Sequence, residues 1–277
     1  MYFRILNNII IMFLVLMFFS CSGGDAVKNK VVYNSIKDVS VDSWKELSTK
    51  NIYFGHQSVG SNIIDGIKDL MNENKNIKLR IVELSDDIDL KGGMFIHSRI
   101  GKNHEPVTKL DAFSKILESD IGKKIDIAMF KFCYVDVTDK TNITQLFENY
   151  RKTIKEIKQK HPSVKVIMFT VPLQITSVTY KTKFKQMTGI GDLWEYKDNL
   201  KRNQFNKMII SEFSDNELIF DIASYEAMMS DHNYQTFEFE KKKYFSLNPE
   251  YTNDGSHLNE LGRKKIAEDL LLELVNI

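Results

Sequence analysis

The sequence predicts an α/β fold built on a mostly parallel sheet. From Trp44 onward short apolar runs alternate with longer amphipathic ones, the signature of βαβ units. Proline closes two of these runs, Pro162 after a helical pattern and Pro172 after a strand pattern. A chain of 277 residues with 43% hydrophobic content can bury the core of one such domain and does not require two.

Asn51–Gly55 reads as the first strand, and Val59–Glu73 as a helix with Ile63, Ile64, Ile67, Leu70 and Met71 on one face. Lys78–Leu84 is the second strand. Asp86–Pro106 reads as a long loop containing Gly and His, followed by a helix over Val107–Glu118 with Leu110, Phe113, Ile116 and Leu117 inward. Ile125–Phe132 is a third strand, apolar except for Lys131. A helix over Ile143–Lys160, a fourth strand over Val164–Val171, a helix over Tyr196–Phe213, a fifth strand over Glu217–Ile222 and a last helix over Leu258–Val275 complete the pattern. Two segments interrupt it, Leu173–Glu195 and the aromatic-rich Ser230–Asn253, and loops of that length are functional or carry structure of their own.

The start of the chain differs from the rest. Arg4 precedes an almost unbroken apolar run from Ile9 to Phe19, short for a membrane span and laid out like a secretory signal. Ser20 before Cys21 makes it resemble a bacterial lipoprotein signal, with Phe18 a mild departure; an ordinary signal peptide or an uncleaved anchor are the competing readings. The expected organisation is therefore a signal peptide over residues 1–20, a tether over 21–45 lipidated at Cys21, and a folded domain over 46–277. Such a protein is exported and lipid-anchored in a bacterial cell envelope. With Cys21 lipidated, Cys133 has no partner in the chain and reads as buried packing. Net charge is +1, which gives no reason to expect a nucleic acid as partner, and Lys241–Lys243 reads as a solvated loop.

Two short segments carry the chemistry. Ser58, between the first strand and its helix, would present a hydroxyl at the strand's carboxyl end, above a helix N-terminus whose free amides suit an oxyanion. Taken alone, Ser58 reads as an N-cap of the following helix, a position Ser prefers. Asp254 and His257, three residues apart before the last helix, change that balance: the carboxylate can orient the imidazole and the imidazole can activate Ser58. Competing with this is Asp254 as a cap and His257 as a surface side chain.

The order of these features, closed by Asp254-Gly255-Ser256-His257-Leu258-Asn259 with Gly262, resembles the SGNH (GDSL-like) hydrolase superfamily over roughly residues 51–277. The resemblance implies a three-layer α/β/α fold, a five-stranded sheet in the flavodoxin-like order 2-1-3-4-5, and Asp254 and His257 as partners of a Ser58 nucleophile. Two departures stand out. Gly55-His56-Gln57-Ser58 replaces the family's G-D-S, and Phe130-Lys131-Phe132-Cys133-Tyr134-Val135-Asp136 replaces its G-x-N-D, so one oxyanion donor is unassigned. For the oxyanion site the residues offer the amides of Ser58 and Gly101, with Gly92 and Gly93 as turn alternatives, and Asn103, Asn62 or Lys131 for the missing asparagine.

His97 and His104 flank Gly101 without carboxylate or thiolate partners at metal-ligand spacing, and no phosphate-cradling motif is present, so no metal or cofactor is expected. What the resemblance implies is a serine esterase acting on an ester-bearing small molecule or glycan, most readily an O-acetylated carbohydrate. A binding or assembly lipoprotein on a degenerate hydrolase fold, or an O-acyltransferase, are the alternatives.

Overall fold

Strands in this chain are short, apolar and rich in branched and aromatic residues, as strands covered on both faces must be. The computed structural model describes residues 31–85, 88, 90, 92–176, 194–215 and 217–277. Cys21 and the leader lie outside the described residues, as does most of the Leu173–Glu195 interruption. Tyr33–Ile277 form one unit.

β1 (Asn51–His56) is central, with β3 (Met94–Arg99) on one side and β4 (Ile127–Phe130) on the other. β2 (Ile81–Glu83) lies outside β3, and β5 (Lys165–Phe169) and β6 (Leu218–Phe220) continue beyond β4. All neighbours are parallel. Alternate side chains leave opposite faces of a strand. Ile52, Phe54, Phe95, Met129, Ile167 and Phe169 accordingly enter one core, and Tyr53, Ile96, Ala128, Phe130, Val166 and Met168 the other. The first core is closed by α1 (Val41–Ser48), α2 (Ser58–Glu73), α6 (Ile222–Ala227) and α7 (Glu260–Asn276). The second is closed by α3 (Pro106–Glu118), α4 (Ile143–Lys160) and α5 (Trp194–Phe213). This is the expected three-layer α/β/α architecture.

The sheet has six strands, in the order β2-β3-β1-β4-β5-β6, where five in the order 2-1-3-4-5 were expected. The additional strand is β3, inside the segment read as a loop. Only its first half is an apolar run, Met94-Phe95-Ile96; His97, Ser98 and Arg99 follow, so the sequence shows no sustained strand pattern. Pairing with β1 from Asn51↔Met94 to His56↔Arg99 makes it a strand and displaces β2 to the edge. The remaining order, β1-β4-β5-β6, is the expected one.

Packing also begins earlier than residue 46. Ile36, Val39, Trp44 and Leu47 are buried, and the backbone N–H and C=O of Tyr33 bond the side chain of Asn276 at 2.9 Å each. At the other interruption, β7 (Thr236–Phe239) and β8 (Lys242–Phe245) form an antiparallel hairpin, leaving Lys241, Lys242 and Lys243 exposed.

α2 and α7 position the site. They pack so closely that a Cβ on Gly66 would stand 2.2 Å from the Arg263 carbonyl oxygen. Arg263 Nε also donates to Asp69 Oδ2 at 2.7 Å. α2 starts with Ser58, and α7 starts three residues after His257, so this contact fixes the spacing of the two.

Candidate active site

β1 delivers Ser58 to the carboxyl edge of the sheet. Gln57 occupies the cap position of α2 without a side-chain capping bond, and Ser58 is the first helical residue. Its hydroxyl therefore does not cap the helix; Ser58 Oγ lies 3.0 Å from His257 Nε2. His257 Nδ1 lies 2.7 Å from Asp254 Oδ2. An ionised carboxylate can only accept, so Nδ1 carries the proton and Nε2 presents its lone pair to Ser58.

Asp254 has a second task. Its Oδ1 accepts from the backbone N–H of Ser256 at 2.9 Å and of His257 at 2.8 Å, closing the turn that carries the imidazole. Burial pushes its carboxyl up, but the bonds from the His257 backbone and imidazole and the Ser256 N–H outweigh this and hold it well below the usual carboxylate range. The arrangement is open to solvent, with the His257 side chain 39% and the Asp254 side chain 56% exposed.

The turn after β3 is docked onto the neighbour of Ser58. Gln57 Nε2 donates to the carbonyls of Ile100 at 2.8 Å and Gly101 at 3.0 Å. Gln57, which departs from the family's pattern, thus ties Gly101 to Ser58. Gly101 itself has φ +58° and would place a Cβ 2.6 Å from the Lys109 backbone nitrogen. Glycine is required there whatever its amide does.

Asn103 follows in the same turn, exposed, with Oδ1 accepting from Lys109 Nζ at 3.0 Å. Lys109 is fully buried and forms an ion pair with Asp136. Asp136 also accepts from His104 N at 3.0 Å and Cys133 N at 2.6 Å, so one buried pair joins the turn after β3 to the turn after β4. The other two candidates for the missing asparagine also have partners. Asn62 Oδ1 accepts from Leu258 N at 3.3 Å, and Lys131, 1% exposed, donates to the Phe132 carbonyl at 3.3 Å. Burial pushes the Lys131 ammonium down from its ordinary value.

His56 is buried behind the turn that carries Ser58. Its Nδ1 lies 2.8 Å from the Gln57 carbonyl and its Nε2 3.1 Å from His97 Nδ1. Burial pushes its pKa down to about 4, so it stays neutral. Among the described residues no cluster of three or more His, Cys, Asp or Glu is placed to hold a metal ion. Cys133 is free and buried.

Tyr134 also lies at this candidate site, although its neighbours in sequence mark it for no role. In the segment where the family's asparagine is missing, its hydroxyl reaches to 3.5 Å of His257 Nε2. Its position at the carboxyl end of β4, where open α/β sheets bind ligands, was the available signal.

The fold and this constellation define a three-layer α/β/α protein with a Ser58–His257–Asp254 arrangement at the carboxyl edge of its sheet. Neither a protein-family model nor a curated protein sequence matches the chain. Solved structures similar to it include one described as a platelet activating factor from Streptococcus pneumonia, at 13% identity and TM-score 0.45, covering 84% of this chain and 90% of that one. A catalytic variant of an acetylxylan esterase from Geobacillus stearothermophilus gives 13% identity and TM-score 0.41, covering 82% and 94%. A lipolytic protein of the G-D-S-L family from Desulfitobacterium hafniense gives 12% identity and TM-score 0.39, covering 80% and 97%.

Proposed function

We propose that the protein is a serine esterase. The observation that carries this reading is His257, whose two ring nitrogens contact Asp254 Oδ2 at 2.7 Å and Ser58 Oγ at 3.0 Å. Ser58 Oγ attacks the ester carbonyl carbon while His257 Nε2 takes its proton. The oxygen of the tetrahedral intermediate takes its hydrogen bonds from the Ser58 amide, at the N-terminus of α2, and from the Gly101 amide, with Asn103 as the third donor. Collapse expels the alcohol, protonated by His257. Water, deprotonated by the same imidazole, then attacks the acyl carbon and the carboxylic acid leaves, returning Ser58 to its starting state.

An open site suits a bulky alcohol, so the proposed substrates are O-acetyl groups on carbohydrate. Export by the leader and lipidation at Cys21 would place the enzyme on the bacterial cell envelope. Fractionation of cells expressing Cys21→Ser tests the anchor: the mature variant should leave the membrane fraction, and its retention there argues against lipidation.

A serine-directed phosphonate and a chromogenic acetyl ester test the chemistry. The protein should be labelled once, at Ser58, and Ser58→Ala should lose both label and turnover with little change in Tm, because the hydroxyl caps nothing. Undiminished turnover in Ser58→Ala would remove Ser58 from the mechanism. No labelling and no turnover in the unaltered protein would favour a binding role on this fold.

A further inference from the structure

We propose that Tyr134 is a further catalytic residue, whose hydroxyl donates a hydrogen bond to the oxygen that leaves the acyl carbon and to the water that replaces it. The inference rests on the esterase reading of Ser58 and His257.

Position comes first. In acyl transfer His257 Nε2 faces two oxygens in turn: Ser58 Oγ, then the oxygen of the leaving alcohol or incoming water. Ser58 Oγ is 3.0 Å from that nitrogen and Tyr134 Oη 3.5 Å. At 3.5 Å the phenol is at the outer limit of a hydrogen bond, close enough to reach the second oxygen once it arrives. On the esterase reading the oxyanion is held by the amides of Ser58 and Gly101, so a group beside Nε2 serves the proton-transfer side.

Orientation follows from the partner of the hydroxyl. Tyr134 Oη meets His257 Nε2 at 3.5 Å, and because that nitrogen presents a lone pair, the phenol's proton points toward it and toward the reacting atoms.

Buried groups hold the ring in place. Arg202, 1% exposed, donates from Nε to the carbonyls of Tyr134 at 2.9 Å and Val137 at 3.1 Å, and its guanidinium carbon stands 5.8 Å from the Tyr134 ring centroid. On the other side the ring meets His257 edge-on at 5.7 Å. Burial, above all, raises the phenol's pKa, so it remains a donor.

Leaving-group dependence distinguishes this role from a structural one. A p-nitrophenolate departs without help, whereas an alkoxide needs a proton and a donor. Tyr134→Phe should therefore retain, within about twofold, the acylation burst with p-nitrophenyl acetate, yet lose roughly 10- to 100-fold in kcat with an alkyl acetate, the worth of one hydrogen bond to a developing charge. Equal losses on both esters would make Tyr134 an oxyanion donor or a packing residue and overturn the proposal, as would no loss on either. A Tyr134→Phe protein that fails on both while the unaltered enzyme works leaves the esterase reading standing; an unaltered protein inert to both esters and to the phosphonate overturns both.

Discussion

Asp254 divides its two oxygens between backbone and chemistry. Oδ1 accepts from the N–H groups of Ser256 and His257, and Oδ2 from the imidazole. An asparagine can keep its carbonyl on the backbone amides, but its NH₂ would then face Nδ1 and donate to it, putting the imidazole proton on Nε2 where it cannot accept from Ser58. Asp254→Asn should accordingly keep its Tm while kcat falls by up to ~10⁴. An unchanged rate would mean that another group orients His257. That Ser58, Asp254 and His257 could come together was legible in the sequence from their residue types and order. Gln57 and Tyr134 were not: the job of each depends on a neighbour distant in sequence, Ile100 and Gly101 for one, His257 for the other.

Between elements, the α2–α7 contact sets the geometry of the candidate site. Ser58 and His257 lie 199 residues apart, and their separation is set by two helices that touch at Gly66. Gly66→Ala would set a methyl group 2.2 Å from the Arg263 carbonyl oxygen and force the helices apart. Overpacking of this kind costs roughly 1–3 kcal/mol, and each kcal/mol lowers Tm by about 2–4 °C in a domain of this size. Because Ser58 opens one helix and His257 lies in the turn just before the other, kcat should fall with Tm. A variant with unaltered Tm and kcat would show that the helices can separate without cost. The helices themselves were legible from their apolar faces, whereas β3 was not, because half of it is polar and its partner is β1.

For the whole molecule, the buried carboxylates set how stability responds to pH. Asp269 on α7 is 8% exposed and its Oδ2 has no hydrogen-bond partner. Burial, against the opposing pull of Lys265, pushes its carboxyl from 3.8 up to about 6. Its folded-state pKa is raised, so the folded state holds the proton that the unfolded chain has already released, and stability drains away as pH rises from about 3.8 to 6. Asp269→Asn should remove that dependence: its stability gains on the parent protein between pH 4 and pH 6.5, by about 2–3 kcal/mol at most and with a matching rise in relative Tm, and the gain then levels off. A Tm difference that stays constant with pH would show that Asp269 is already ionised. By itself the sequence determined the α/β class, the succession of most strands and helices, and which three residues could act together, because periodicity and residue chemistry are local properties. Tertiary structure alone decided the sixth strand, the earlier start of the folded body, and the surroundings of the nucleophile: Gln57 on Gly101, Lys109 on Asp136, Tyr134 beside His257. Each of those is a contact between residues whose own segments give no sign of the partner, so only the closed sheet brings them together.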